Sequence, residues 1–192
     1  NNIDYNIDQA LQTRIDNGEQ IVVAPVGRDV EIEFPVNDVI EYYRLNSGSL
    51  AVVNSLSLDI PVEAVENSFG IEPPQNLLMV LSDKREDFFR NGELTDDVTS
   101  FYATYDSANH RYRFSGLRDY MQKMLERESI TAADYTFTLT PVSVETETSS
   151  DGYYGSTTYV SAINPYIGAP SMAKLDLDKA TVTLSFSKQT VK

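Results

Sequence analysis

The chain has 192 residues, a formal net charge of −14 and a pI of about 4.3. Hydrophobic residues make up 41% and charged residues 23%, the balance of a folded globular protein with a sizeable core. So acidic a surface would repel a phosphate backbone, and no nucleic-acid partner is expected. Cysteine is absent and histidine occurs once, so no cofactor and no transition-metal site are predicted.

The beginning of the chain bears on its origin. It starts at Asn1 without an initiator methionine, and no apolar run approaches the length that crosses a bilayer. We therefore expect a processed part of a longer protein, with residues 1–192 forming a single domain and any targeting signal lying upstream.

The first third of the chain predicts a helix, two strands and a second helix. Asn6 is the expected N-cap of the opening helix, which ends at Gly18. Strand-like runs follow at Ile21–Ala24 and Val30–Phe34, and Asn37 is placed to cap the next helix.

The middle of the chain holds the clearest strand. From Leu56 to Val62, apolar residues alternate with polar ones or proline, as in a strand with one buried face. The apolar run Leu77–Leu81 predicts a strand buried on both faces, and residues 84–97 predict a loop or a short helical turn. An apolar stripe from Leu117 to Leu125 predicts a helix, with Ser115 as its N-cap.

The last third predicts a strand near Tyr135–Leu139, a long loop at 145–172 and a closing strand at Ala180–Phe186. Strands dominate, and the helices do not alternate with them regularly. The expected fold class is therefore mainly β: an antiparallel, jelly-roll-like β-sandwich of seven or eight strands with two or three short helices in its connections.

The stretch FYATYDSANHRYRFSG, which begins at Phe101, concentrates aromatic and basic residues with the single histidine. A turn at 106–109 would place Tyr105 opposite His110, with the aromatic side chains on one face. Tyr102 and Arg113 would then form a cross-strand cation–π pair on the other face. We interpret the stretch as a hairpin that leads into the following helix, not as a site.

The sequence evidence for a catalytic set of residues is weak, and no catalytic residue is predicted. A Ser-His-acid set would need His110, yet no G-x-S-x-G motif accompanies it. The nearest acid pairs, Asp96/Asp97 and Glu145/Glu147, lie among polar residues, where carboxylates usually only solvate the surface. A hydrolase that uses paired carboxylates stays open as the alternative.

Four tyrosines in the predicted 145–172 loop are the candidate binding residues: Tyr153, Tyr154, Tyr159 and Tyr166. Aromatic rings exposed in a polar segment are suited to stack on a sugar face. The same rings would equally serve to pin a long loop onto the sheet.

Several stretches resemble one family in order and character. They are PVGRDVEIEFPVNDVIEY, VVNSLSLDIPVE, PPQNLLMVLSD, FYATYDSANHRYRFSGLRDYMQKML and KATVTLSFSK. Together they resemble the C-terminal region of a Bacteroidetes secreted lipoprotein family described as a domain of unknown function. The resemblance runs from about Val23 to the end. It implies an extracytoplasmic place on the cell envelope, as an outer-membrane lipoprotein whose lipid anchor lies upstream and makes its membrane contact.

Three functions follow from these observations. The first is a non-enzymatic envelope protein with a binding, adhesion or assembly role, whose partner is a glycan or another envelope protein. The second is the hydrolase with paired carboxylates. The third is a structural module that supports a domain preceding Asn1.

Overall fold

Ten strands and five α-helices form the part of the chain that the computed structural model describes, namely residues 9–25, 27–47, 51–63, 70–151 and 155–188. The strands are β1 (Ile21–Ala24), β2 (Val30–Glu33), β3 (Ala51–Glu63), β4 (Asn76–Leu81), β5 (Ser100–Asp106), β6 (Arg111–Phe114), β7 (Thr136–Asp151), β8 (Gly155–Pro165), β9 (Ser171–Leu175) and β10 (Thr181–Lys188). The helices are α1 (Gln9–Asp16), α2 (Val36–Ser47), α3 (Arg85–Asn91), α4 (Arg118–Glu126) and α5 (Ala132–Tyr135).

All ten strands belong to one antiparallel hydrogen-bonded network. Its main path runs β1-β9-β3-β6-β5-β4-β7-β2, while β10 pairs with β3 and β8 pairs with β7. The network is not closed into a barrel. The mainly β, antiparallel fold class is thereby confirmed, with helices in the connections as predicted, although the described residues hold five helices rather than two or three.

The β5–β6 hairpin joins two halves of the network. Its strands share only two residue pairs, Tyr105 with Tyr112 and Asp106 with Arg111. Beyond those pairs the strands separate, and β5 continues on β4 while β6 continues on β3. The main hydrophobic cluster draws buried residues from both halves, so the core lies between them.

An aromatic cluster marks the centre of this core. The Tyr120 ring of α4 makes edge-to-face contacts with Phe34, Phe101 and Phe137, at centroid distances of 5.7, 6.4 and 5.6 Å. Its hydroxyl donates a hydrogen bond to the main-chain carbonyl of Asp134 at 3.0 Å. Burial raises the pKa of Tyr120, so the hydroxyl stays a donor. The contacts fasten α4 onto the sheet.

Helix starts differ from the sequence prediction. Helix α2 begins at Val36, so Asn37 lies inside the helix rather than at its N-cap. Helix α4 begins at Arg118, and Ser115 is therefore not its cap. Asn6 lies outside the described residues. Apolar periodicity marks the body of a helix, whereas the packing of its first turn decides where it starts.

The turn between β5 and β6 spans 107–110, one residue later than predicted. The reason is local, because the Asp106 carboxylate accepts hydrogen bonds from the amides of Ala108 and Asn109, both at 3.1 Å. Asp106 therefore ends β5 and pairs with Arg111, so Tyr105 lies opposite Tyr112 and not His110. The predicted register is wrong by two residues, a shift that preserves the predicted faces.

The predicted Tyr102–Arg113 pair does not form, because Arg113 contacts β3 instead. Its guanidinium lies 3.9 Å from the Asp59 carboxylate and 3.4 Å from the Ser57 hydroxyl, both on β3. Tyr102 packs instead against the second hydrophobic cluster, beside Leu78. The divergence of β5 from β6 separates the two side chains.

The predicted loop at 145–172 is wrong, because most of it is a long hairpin. Strands β7 and β8 pair from Val142–Pro165 to Asp151–Gly155. The segment alternates β-branched and hydroxyl residues, and its high β-propensity outweighs its polarity. At the base of the hairpin, Ile163 packs with Phe88 of α3.

Candidate functional site

A hollow of about 430 Å³ lies where β3 ends, beside the β5–β6 turn. We call it the β3-end hollow, and its lining residues are Val62, Glu63, Ile71, Glu72, Pro73, Tyr105, Ser107, His110 and Met172. Aliphatic side chains, a proline and a methionine form its apolar wall. Two carboxylates, a tyrosine, a histidine and a serine supply hydrogen-bonding groups. A concave apolar surface with a few convergent polar groups is the usual form of a ligand site.

Tyr105 and His110 form the polar centre of the hollow. Tyr105 Oη lies 3.1 Å from His110 Nδ1, within hydrogen-bonding distance. Partial burial raises the pKa of Tyr105, and the nearby carboxylates of Glu72 and Asp106 raise it further. The phenol therefore stays protonated at neutral pH and is able to donate a hydrogen bond.

The backbone of the turn holds His110 in an uncommon conformation. Its φ is +50°, in the left-handed region that few non-glycine residues adopt. The His110 carbonyl accepts a hydrogen bond from the Val62 amide at 2.8 Å, so the turn is fastened to the end of β3. The exposed imidazole ring is thus held at the mouth of the hollow by main-chain contacts.

The segment 72–75, from which Glu72 and Pro73 line the hollow, is fixed by three separate contacts. The Glu72 carbonyl accepts from the Met172 amide at 3.1 Å, and the Gln75 carbonyl accepts from the Tyr105 amide at 2.8 Å. The buried Tyr112 hydroxyl donates to the Pro74 carbonyl. These contacts position Glu72 beside the Tyr105–His110 pair before any ligand arrives.

A second hollow, of about 580 Å³, adjoins the first and shares Glu63 with it. Here both lysines are already paired with carboxylates. Lys174 Nζ lies 2.7 Å from Glu63 and 3.7 Å from Glu19, while Lys179 Nζ lies 2.5 Å from Asp176. This network ties the loop after α1 to β9 and to the 3-10 turn that follows it. We interpret it as structural.

The charge of the β3-end hollow is consequently negative. Glu63 is held by lysines on the side of the second hollow, and no lysine or arginine is among the described residues that line the first. Glu72 and the hydroxyls face the cavity. Such a lining favours neutral hydroxylated groups or cations over anions.

Two of the four predicted tyrosines belong to the part of the chain that the structure describes, and they lie apart. Tyr153 and Tyr154 lie outside the described residues. Tyr159, on β8, is exposed, and its hydroxyl donates to Glu147 at 3.1 Å. Tyr166 follows β8 at the base of the hairpin, where its amide donates to the Pro141 carbonyl. Six residues of mostly extended chain separate Tyr159 from Tyr166, a distance of about 20 Å.

The acid pair Asp96/Asp97 belongs to the turn that precedes β5. Burial acts to raise the pKa of Asp96, but hydrogen bonds from the amides of Thr99, Val98 and Ser100 outweigh it and lower the pKa. Burial raises the pKa of Asp97, and the charge of Asp119 raises it further. Neither acid lines the β3-end hollow, and the Asp96 contacts are those of a turn-forming residue.

The acid pair Glu145/Glu147 lies on β7, in the exposed part of the hairpin. Glu145 accepts a hydrogen bond from Asn164 at 3.3 Å, and Glu147 accepts one from Tyr159. Both carboxylates stand on an open ribbon rather than in a cleft. They cross-link the two strands.

Comparison of the chain with family models, with curated proteins and with solved structures finds no match. Within the described ranges, no helix is both long and apolar enough to span a bilayer, and no three acidic or histidine side chains are grouped as for a metal ion. The fold and the hollow together define the class of the protein, which is an acidic, antiparallel β protein with a hollow at the end of strand β3.

The sequence reasoning found the hairpin but missed its role in the hollow. His110 lies 38 positions beyond Glu72 in the chain, and the tertiary fold places it in the same hollow as Glu63 and Glu72. The available signal was the single histidine beside a turn, next to a tyrosine expected on the inner face. The same signal is typical of hairpin architecture, and the sequence pattern favours the tyrosines after Val144 as the site.

Proposed function

We propose that the protein is a non-catalytic binding protein of the cell envelope and that the β3-end hollow binds a glycan. The observation that carries the proposal is the Tyr105–His110 pair, which lines the same cavity as Glu72 and an apolar wall. The envelope location rests on the family resemblance of the sequence.

A sugar fits this lining chemically. Its ring presents an apolar C–H face and a rim of hydroxyls that both donate and accept hydrogen bonds. Tyr105 offers an amphipathic ring, Glu72 accepts from hydroxyls, and the apolar wall around Met172 and Ile71 covers the C–H face. Since the described lining is uncharged or negative, neutral sugars are favoured over uronic or sulfated ones.

The test is a glycan array followed by titration calorimetry on the ligands that bind. Tyr105→Phe keeps the ring and removes the hydroxyl, and Glu72→Gln keeps the shape and removes the charge. Each should weaken binding about tenfold, the usual effect of losing one well-formed hydrogen bond in a closed site. Tyr159→Phe is the matched control, because it removes a tyrosine–carboxylate hydrogen bond outside the hollow.

Two results would contradict the proposal. One is that no glycan on the array binds. The other is that glycan binding is lost with Tyr159→Phe or with changes at Tyr153, Tyr154 and Tyr166, while the two variants in the hollow bind normally. The second result would return the site to the predicted tyrosines.

A hydrolase is the second candidate, because Glu63 and Glu72 line the same hollow. Hydrolysis of this kind needs one acid as proton donor and one ionised carboxylate, and Glu63 and Glu72 are the two acids that line the hollow. Incubation with the glycans that bind separates the two functions. Appearance of a new reducing end that Glu72→Gln abolishes would favour the hydrolase, and unchanged glycan would favour the binding protein.

A further inference from the structure

The far part of the β7–β8 hairpin stands clear of the rest of the described sheet. Strand β7 pairs with β2 and β4 only as far as Val142, and from there to Asp151 its one described partner is β8. Strand β8 pairs only with β7 among the described strands. The described side chains from Glu145 to Ser150 and from Gly155 to Tyr159 are exposed.

Such a ribbon is not expected to be stable by itself. A lone two-stranded hairpin is marginal in water, and the described residues of this one pack against hydrophobic side chains at its base, where Val144, Val160 and Ile163 meet α3. Ten residue pairs nevertheless hold the strands together. We therefore expect pairing with a further strand to stabilise the ribbon.

The two edges of the ribbon differ in charge. Strand β7 carries Glu145 and Glu147, and charged side chains are a common protection against edge-to-edge pairing. Strand β8, GSTTYVSAINP, has no charged residue at all, and no lysine or arginine occurs between Arg127 and Lys174. Strand β8 is therefore the unprotected edge.

We propose that β8 is a self-association surface, on which the β8 strand of a second copy of this chain pairs antiparallel across a two-fold axis. The product is a four-stranded ribbon in the order β7-β8-β8-β7. Antiparallel pairing of identical strands satisfies the main-chain groups of both free edges at once. Threonine and valine side chains on neighbouring strands also pair favourably.

Charge selects this arrangement over pairing through β7. With β8 in the middle, the glutamates of the two β7 strands are three strand spacings apart, about 14 Å. This exceeds the screening length of about 8 Å at physiological ionic strength, so their repulsion is weak. Pairing through β7 would instead put glutamates on adjacent strands, about 5 Å apart, where like charges destabilise the pair.

The same reasoning separates a second copy from a basic partner. Two molecules of net charge −14 repel one another at long range, so higher ionic strength should strengthen self-association. Binding of a basic protein or peptide to the acidic ribbon would weaken under the same change. The direction of the salt effect is therefore diagnostic.

The experiment uses sedimentation of the full chain up to about 300 µM, where mass action favours the dimer, at about 0.05 M and 0.5 M salt. The matched variants are Ser156→Lys/Thr158→Lys on β8 and Ser150→Lys/Thr148→Lys on β7. The two pairs of sites lie directly opposite one another in the hairpin, and the Thr148 and Thr158 hydroxyls are 3.0 Å apart. Both variants add the same charge and lose the same side-chain contact.

We expect the parent chain to dimerise, and to do so more tightly at high salt. The β8 variant should dimerise at least about tenfold more weakly, because its lysines place like charges on the two strands that pair. The β7 variant should stay within about threefold of the parent, because its lysines lie one strand further away. A monomeric parent, equal effects of the two variants, or a dimer that weakens with salt would overturn the proposal.

Discussion

The buried hydroxyl of Tyr120 allows a sharp test of how the core is held. Tyr120 is fully buried, and its Oη donates to the Asp134 carbonyl at 3.0 Å. Tyr120→Phe keeps the ring contacts with Phe34, Phe101 and Phe137 and removes only this donor. Because the change takes a hydrogen-bond donor away from a carbonyl at a buried site, we expect the free energy of unfolding to fall by about 2 kcal/mol.

Urea unfolding followed by circular dichroism measures this change. With a slope of about 2 kcal/mol per molar urea, the midpoint should fall by about 1 M. Tyr43→Phe is the control, since the half-buried Tyr43 hydroxyl donates to the Ala51 carbonyl, also at 3.0 Å. Water replaces that donor near the surface, so its cost should stay below about 0.5 kcal/mol. Equal midpoint shifts for the two variants would refute the reasoning.

Three further predictions concern single sites. Gly116→Ala should lower the melting temperature by about 3–6 °C. The φ of Gly116 is +94°, and the added Cβ would lie 3.3 Å from Asp97 Oδ1. An unchanged melting temperature would contradict this. Asp96→Asn should lower the free energy of unfolding, measured in urea, above about pH 4. The stability difference between the parent and the variant should shrink as pH falls through the lowered pKa of Asp96. A stability difference that grows on acidification would contradict the prediction. Burial raises the pKa of Asp29 in spite of Arg85, so its carbon-13 NMR titration midpoint should lie above the usual value for aspartate. The stability it contributes should be lost as pH rises through that midpoint. A midpoint below the usual value would mean that the ion pair outweighs burial.

Much of the local structure is predictable from neighbouring residues. The alternation from Leu56 to Val62 predicts β3, and the apolar run from Leu77 predicts β4 between two partners, as found. The inward face of β5, with Phe101 buried, is likewise correct. These features depend on the periodicity of side chains along one segment, which the sequence displays directly.

Predictions that require knowledge of a partner strand are less successful. The polar segment after Val144 is typical of a loop, yet each of its strands pairs with the other along ten positions. The register of the β5–β6 hairpin depends on hydrogen bonds from Asp106 to two turn amides, and a shift of two residues leaves the face pattern unchanged. Hydrophobic pattern alone does not distinguish those registers.

The sequence by itself determined the mainly β class, the acidic surface and the inner faces of the strands, because composition and periodicity are properties of the chain. Only the tertiary structure decided that β5 and β6 separate into two layers and that Glu63, Glu72 and His110 meet at one hollow. The same holds for the uncharged edge that β8 leaves open. Long-range strand pairing creates these features, and no single segment of the chain encodes its partner.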